Sequence, residues 1–178
     1  MPDFPAIGGY LRVPSAISWC GDTVFGDLMR IAAVNPGTSA WTTANTAVFL
    51  PFTISFPYLA QKMAVQVATQ SGNMDIGIYD EKGNRLVSMG STAVGAAGLQ
   101  VFDITDTWLN PGTYFMAVNA DNVAAFLGPT TTILAANHGR TSGLQQQAVG
   151  AVTLPNPATF ATFTARNVPF VTISGATL

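Results

Sequence analysis

The chain predicts an all-β domain, a sandwich or barrel of short strands, and three observations carry that expectation. From residue 46 onward, side-chain character recurs with period two, as in Met63, Val65 and Val67 set against Ala64, Gln66 and Ala68, because alternate residues of a strand point to opposite faces. Turn-forming clusters such as Asp80-Glu81-Lys82-Gly83-Asn84 and Asn110-Pro111-Gly112 interrupt the pattern, at the ~8 to 12 residue spacing of all-β domains. That period is two rather than 3.6, and over residues 1–45 no apolar period persists long enough to define a long helix.

Residues 1–45 precede this pattern. They hold Pro2, Pro5, Pro14 and Pro36 with many glycines, which favours an extended arm over a helix, apart from a weakly signalled short helical turn over residues 26–33. The arm is too apolar for a disordered linker, whose composition is polar and poor in aromatics. Trp19, Phe25, Met29 and Trp41 are its candidate contact residues, expected to lie against a partner surface. The division expected is therefore an arm over residues 1–45 and a β-domain over residues 46–178.

Within the domain, residues 47–56 and 58–69 make the first two expected strands. A hairpin follows, with Met74, Ile76 and Ile78 on one face and Asp75, Gly77 and Tyr79 on the other. Gly83 and Asn84 tolerate the positive φ that tight hairpin loops demand, and the return strand runs from Arg85 to about Met89. "GSTAVGAAG" is a small-residue loop, "LQVFDI" a strand and "TDTWLNPG" a turn, with Pro111 presetting φ and Gly112 expected in the left-handed region. "TYFMAVNAD" puts Tyr114, Met116 and Val118 on one face. "VAAFLG", "ATFATFTA" and "FVTISG" complete the strand-like segments. No fixed-period internal repeat is present.

Charged residues are 9% of the chain and hydrophobic residues 48%, with mean hydropathy +0.34; soluble domains carry roughly 25% charge. So few charges cover a lone monomer's surface poorly, which points to a subunit whose surface is covered by partners. The most apolar stretch, "AVFLPFTISFPYLA", is broken by Pro51 and Pro57 and falls short of the ~20 apolar residues of a spanning helix, so no membrane is expected. The first residues lack the basic and apolar regions of a secretory signal, and the chain is expected to stay where it is made. The seven basic residues are scattered and the formal net charge is −2. That leaves no stripe to neutralise phosphates, and nucleic acid is not expected as a partner.

Candidate chemistry is sparse. Cys20 is the single cysteine, which excludes an intrachain disulfide framework and any multi-cysteine metal cluster. His138 is the single histidine, and nothing in the sequence brings it to a nucleophile. No catalytic residue, cofactor-binding residue or metal ligand is therefore assigned. Asp75, Asp80, Glu81, Asp103 and Asp106 fall in one central segment, where calcium ligation competes with turn capping and solvated edge charge; the second is favoured. Trp108, with Tyr79 and Tyr114, is a candidate for stacking on a sugar ring, against core packing as the alternative. Trp108, beside a turn, is the one expected to be exposed.

The segment "SGNMDIGIYDEKGNRLVSMGSTAVGAAGLQVFDITDTWLNPGTYFMAVNADN" resembles a set of tailed-bacteriophage and prophage virion structural proteins. They share a pattern close to "SGNVDxGIYDxxGxRLVSxGSTxxxGxxxLQxFDIxDTxLxPGxYYLAxxxDN". Upstream, "MRIAAVNPGTSAWTTANTAVFLPF" extends the likeness, so more than half the chain is covered. The resemblance implies an antiparallel β-sandwich of jelly-roll-like form and a virion component made in the host bacterial cytoplasm. It implies a capsid decoration or cement protein, a head-fibre protein, or a part of the tail or baseplate. It further implies a homo-oligomer, with a trimer as one form, held against the major capsid protein or other virion proteins. No catalytic residues carry over from it. Met74 and Met89 stand where smaller or polar residues are usual.

The chain is accordingly expected to be a non-enzymatic virion structural protein. A host-surface carbohydrate-binding module of a tail or baseplate is the alternative, and a glycan hydrolase using two of the carboxylates ranks third.

Overall fold

A computed structural model describes residues 16–19, 38–40, 43–122, 125–127, 143–164, 169 and 171–177. Every regular element among them is a strand, and every pairing is antiparallel. The strands are β1 (Ala16–Trp19), β2 (Thr38–Ala40), β3 (Thr46–Ile54), β4 (Tyr58–Val67), β5 (Asn73–Asp80), β6 (Arg85–Ser88), β7 (Thr92–Ala93), β8 (Gly98–Leu109), β9 (Gly112–Ala120), β10 (Ala125–Leu127), β11 (Gln145–Ala148), β12 (Ala161–Thr162) and β13 (Val171–Thr177). They form a six-stranded sheet A, built from β1, β13, β4, β10 and β2 with β8 on the far side of β4, and a seven-stranded sheet B, ordered β12-β11-β3-β9-β5-β6 with β7 also on β5. The expected antiparallel β-sandwich is thus the fold.

Its connectivity is that of a long ribbon folded over twice. β3 pairs with β9, β4 with β8, and β5 with β6 and β7, so the pairs nest in sequence as they do when a long hairpin is rolled into a jelly-roll-like sandwich. At one corner the β3–β4 and β8–β9 connections run together: Ile54 faces Gly112 in sheet B, and Tyr58 faces Leu109 in sheet A. Tyr114 Oη donates to the Asn110 carbonyl at 2.9 Å and closes this corner. At the other, the β4–β5 and β7–β8 connections do the same, tied by the Val94 amide on the Gly72 carbonyl at 2.9 Å.

The core lies between the sheets and follows the period-two pattern. Val48, Leu50, Phe52 and Ile54 enter it from β3, Met63, Val65 and Val67 from β4, Met74, Ile76 and Ile78 from β5, and Met116 and Val118 from β9. Ordering so many backbone groups is offset mainly by this apolar burial, at about 1.5 to 3 kcal/mol for each fully buried large side chain.

Several local expectations change. "TDTW" is not a turn: residues 105–108 continue β8, because β8 and β4 remain paired from Gly98–Val67 to Leu109–Tyr58. Gly112 does not adopt the left-handed region; it begins β9 opposite Ile54 instead. Gly83 does adopt it, at φ 87°. "ATFATFTA" yields only the two-residue β12, and Gln145–Ala148 is a strand that its polar sequence did not announce. From residues 1–45, β1 pairs with β13 and β2 with β10, so those two stretches join sheet A. The expected helical turn over residues 26–33 lies outside the described residues.

Candidate interaction face

The two sheets turn very different outer faces to their surroundings. On sheet B, Ala47, Phe49, Ala117, Asp75 and Tyr79 are all buried although they point away from the core, because residues 151–160 cross over them as a strap. Leu154 is buried there and Phe160 half-buried; Phe160 packs edge-on to Phe49 at 5.1 Å between ring centroids, and Phe49 edge-on to Tyr79 at 5.2 Å.

Polar groups fix the strap's register. The Asp75 carboxylate, fully buried, accepts from the amides of Leu154 and Gly90, each at 2.9 Å, and from Ser88 Oγ at 2.8 Å. Hydrogen bonds to a charged group are the stronger kind, and a buried carboxylate requires them. Opposite Asp75 in the register stands Asn119, whose Nδ2 donates to the carbonyls of Ala151 and Val152 at 2.9 and 2.7 Å. Arg85 Nη1 donates to the Leu154 carbonyl at 2.6 Å, and Tyr79 Oη donates to the Pro155 carbonyl. Burial pushes the Tyr79 phenol well above its ordinary range, and the Asp75 charge adds to this while Arg85 opposes it. Tyr58, in the main core, is pushed up to about 12 by burial.

Glycine is required at two points of this contact. A Cβ on Gly77 would stand 2.4 Å from the Val87 carbonyl oxygen and 3.1 Å from Leu154 Cδ1, and one on Gly83 would stand 2.6 Å from the Ala158 carbonyl oxygen. The Gly83 loop carries Asp80, whose oxygens accept from the Lys82 and Asn84 amides and from Asn84 Nδ2. Slight burial works to raise the Asp80 carboxyl, but these bonds and the Lys82 charge outweigh it and hold it below the usual range. Turn capping explains Asp80, as expected. Asp75 differs: it is a buried anchor for the strap, not a solvated charge.

Sheet A has no such cover among the described residues. Opposed pairs Gln66–Leu99, Ala64–Val101, Lys62–Asp103 and Leu59–Trp108 line the outer face of β4 and β8, and Leu99, Val101 and Trp108 are 56%, 55% and 52% exposed. Lys62 Nζ sits 2.9 Å from Asp103 Oδ1, and Gln61 Nε2 donates to Asp106 Oδ2 at 3.2 Å. Among the described strands, β8 pairs only with β4, so its other edge offers unpaired backbone groups along a 12-residue strand. The mean strand is about 5 to 6 residues, and long open edges are natural templates for pairing with another chain.

Of the residues singled out in the sequence, Trp108 is exposed as expected, but on a strand. Tyr79 is buried under the strap and Tyr114 packs on Phe52 at 5.7 Å, so neither joins Trp108 in a stacking platform. Trp19 lies in β1 opposite Val171, while Phe25, Met29, Trp41, Cys20 and His138 lie outside the described residues. Among the described residues, no three His, Cys, Asp or Glu side chains gather to hold a metal ion, and no helix is long and apolar enough to cross a membrane. Leu99 and Val101 were legible only as strand residues; nothing in "LQVF" tells which of its neighbours stays uncovered.

The class this defines is a β-sandwich with one outer face sealed by its own chain and the other, among the described residues, open. No protein-family model, curated protein or solved structure matches the chain.

Proposed function

We propose that this protein is a non-enzymatic structural subunit of a bacteriophage particle, a capsid decoration, cement or head-fibre protein that works by packing against copies of itself and against the major capsid protein or other virion proteins. The observation that carries the proposal is the open outer face of sheet A, where Leu99, Val101 and Trp108 are each more than half exposed. In a chain with 9% charged residues, apolar side chains exposed beside a strand edge that is unpaired among the described residues favour burial against another protein surface. The sequence likeness to virion proteins supplies the setting.

The test is to express the chain together with the genes that flank it, purify the particles on a density gradient and quantify the chain by mass spectrometry. The proposal expects it in the particles at a fixed stoichiometry to the major capsid protein. A chain that stays in the soluble fraction contradicts it.

Glycan binding by a tail or baseplate module is the second reading, favoured by Trp108. Its ring is exposed on the sheet face, with the Gln61–Asp106 hydrogen bond two residues along β4, a pairing of stacking surface and polar groups that suits a sugar. A glycan array that is negative with and without calcium counts against it.

A further inference from the structure

We infer that the open edge of β8 is a self-pairing edge, joining two copies of this chain through antiparallel pairing of residues 98–102 about a two-fold axis at Gln100. This rests on the reading of the chain as a subunit that packs among copies, and it names the surface used.

The free edge divides into two unlike halves. Between the pairs Lys62–Asp103 and Ala60–Thr107, Ile104, Thr105 and Asp106 on β8 face the single Gln61 on β4. Such a bulge bends the strand, and with carboxylates beside it, it discourages edge pairing. Residues 98–102, "GLQVF", have neither protection: they contain no charge and no proline, and their pairing with β4 is regular from Gly98–Val67 to Phe102–Met63.

This half is complementary to itself when the axis falls at Gln100. With the axis at Gln100, Leu99 faces the partner's Val101 and Val101 faces the partner's Leu99. Both side chains lie on the outer face of the sheet, so each becomes a directly opposed apolar neighbour of the other, the closest kind of cross-strand contact. Moving the axis to Asp103 would set Asp103 against the partner's Asp103, and moving it midway between Thr105 and Ile104 would set Asp103 against the partner's Asp106; like charges directly opposed are destabilising. The charge distribution therefore selects the axis at Gln100 over those toward the bulge. An isologous contact of this kind satisfies backbone groups on both copies at once.

Single cysteines placed in a Cys20→Ala background of the full chain read the register. Gln100→Cys is expected to form a disulfide-linked dimer under mild oxidation. A mixture of Leu99→Cys and Val101→Cys proteins is expected to cross-link to each other, and Asp106→Cys to stay uncross-linked. Light scattering on the unsubstituted chain is expected to give a dimer, or a multiple of it. Leu99→Lys/Val101→Lys, which sets lysines opposite lysines across the axis, is expected to weaken that association about 100-fold or more. Circular dichroism confirms that this variant is folded, and Leu99→Thr/Val101→Thr repeats the test without added charge. A monomer at every concentration overturns the inference. So does an oligomer that keeps its mass in both double variants with no cross-link at position 100. Recovery from particles is a separate readout, so a chain present in particles yet not cross-linked there at position 100 refutes the pairing and leaves the virion proposal standing.

Discussion

The outer faces of sheets A and B begin from the same alternating pattern and end differently. Sheet B's outward residues include Phe49, Tyr79 and Phe115, and the chain spends residues 151–160 covering them, with Asp75 and Asn119 holding the cover in place. Sheet A's outward residues include Leu99, Val101 and Trp108, and no described segment lies over them. A face that carries its own buried polar anchors is built for intramolecular closure. A face with exposed apolar side chains, a surface ion pair and a free edge suits a partner that arrives from outside.

Substitutions should separate the two faces sharply in stability. Asp75→Ala should cost most, about 3 kcal/mol in urea denaturation, because it leaves the buried Leu154 amide without its acceptor and removes the carboxylate that the partly buried Gly90 amide and Ser88 Oγ also bond. Phe160→Ala should cost about 2 kcal/mol, less than a fully buried phenylalanine because Phe160 is half-buried. Tyr79→Phe should cost about 1 kcal/mol by removing the hydroxyl that holds the Pro155 carbonyl. Leu99→Lys/Val101→Lys, on the open face, should change the stability of the isolated fold by no more than about 0.5 kcal/mol per site while weakening association. An equal loss of fold stability from the two faces would erase the distinction.

Alkali offers a further way to sharpen it. Tyr79 and Tyr58 both have phenols raised above the ordinary value, so each favours the folded state fully below about pH 10 and loses that contribution as pH rises through the folded-state value. Denaturation midpoints should therefore fall above about pH 10. Tyr79→Phe should make that decline shallower without abolishing it, since Tyr58 still titrates.

Much of the sandwich was legible because its information is local. Met63, Val65, Val67, Met74, Ile76 and Ile78 announce core-facing positions by alternation, and Gly83 announces a left-handed turn. The strap was not legible. Residues 151–160 have no period, and their value lies in meeting Asp75, Asn119 and Arg85 some 30 to 80 positions earlier, a relation that exists only in the fold. Asp75 was misjudged for the same reason: in the sequence it is an outward strand residue, and only the strap makes outward mean buried. The Asn110-Pro111-Gly112 cluster misled in the opposite direction, since pairing of β8 with β4 carries the strand through "TDTW" up to the turn. Trp108 was expected to be exposed and is, because no described segment covers that side.

Hydrogen exchange of the full chain at low and high protein concentration tests the difference between the faces most directly. Peptides covering Met74–Ile78 and Leu154 should be equally protected at both, since their cover is intramolecular, whereas peptides covering residues 98–102 should gain protection only at high concentration. Protection over residues 98–102 that does not change with concentration, or strap peptides that exchange freely at both, would contradict the account.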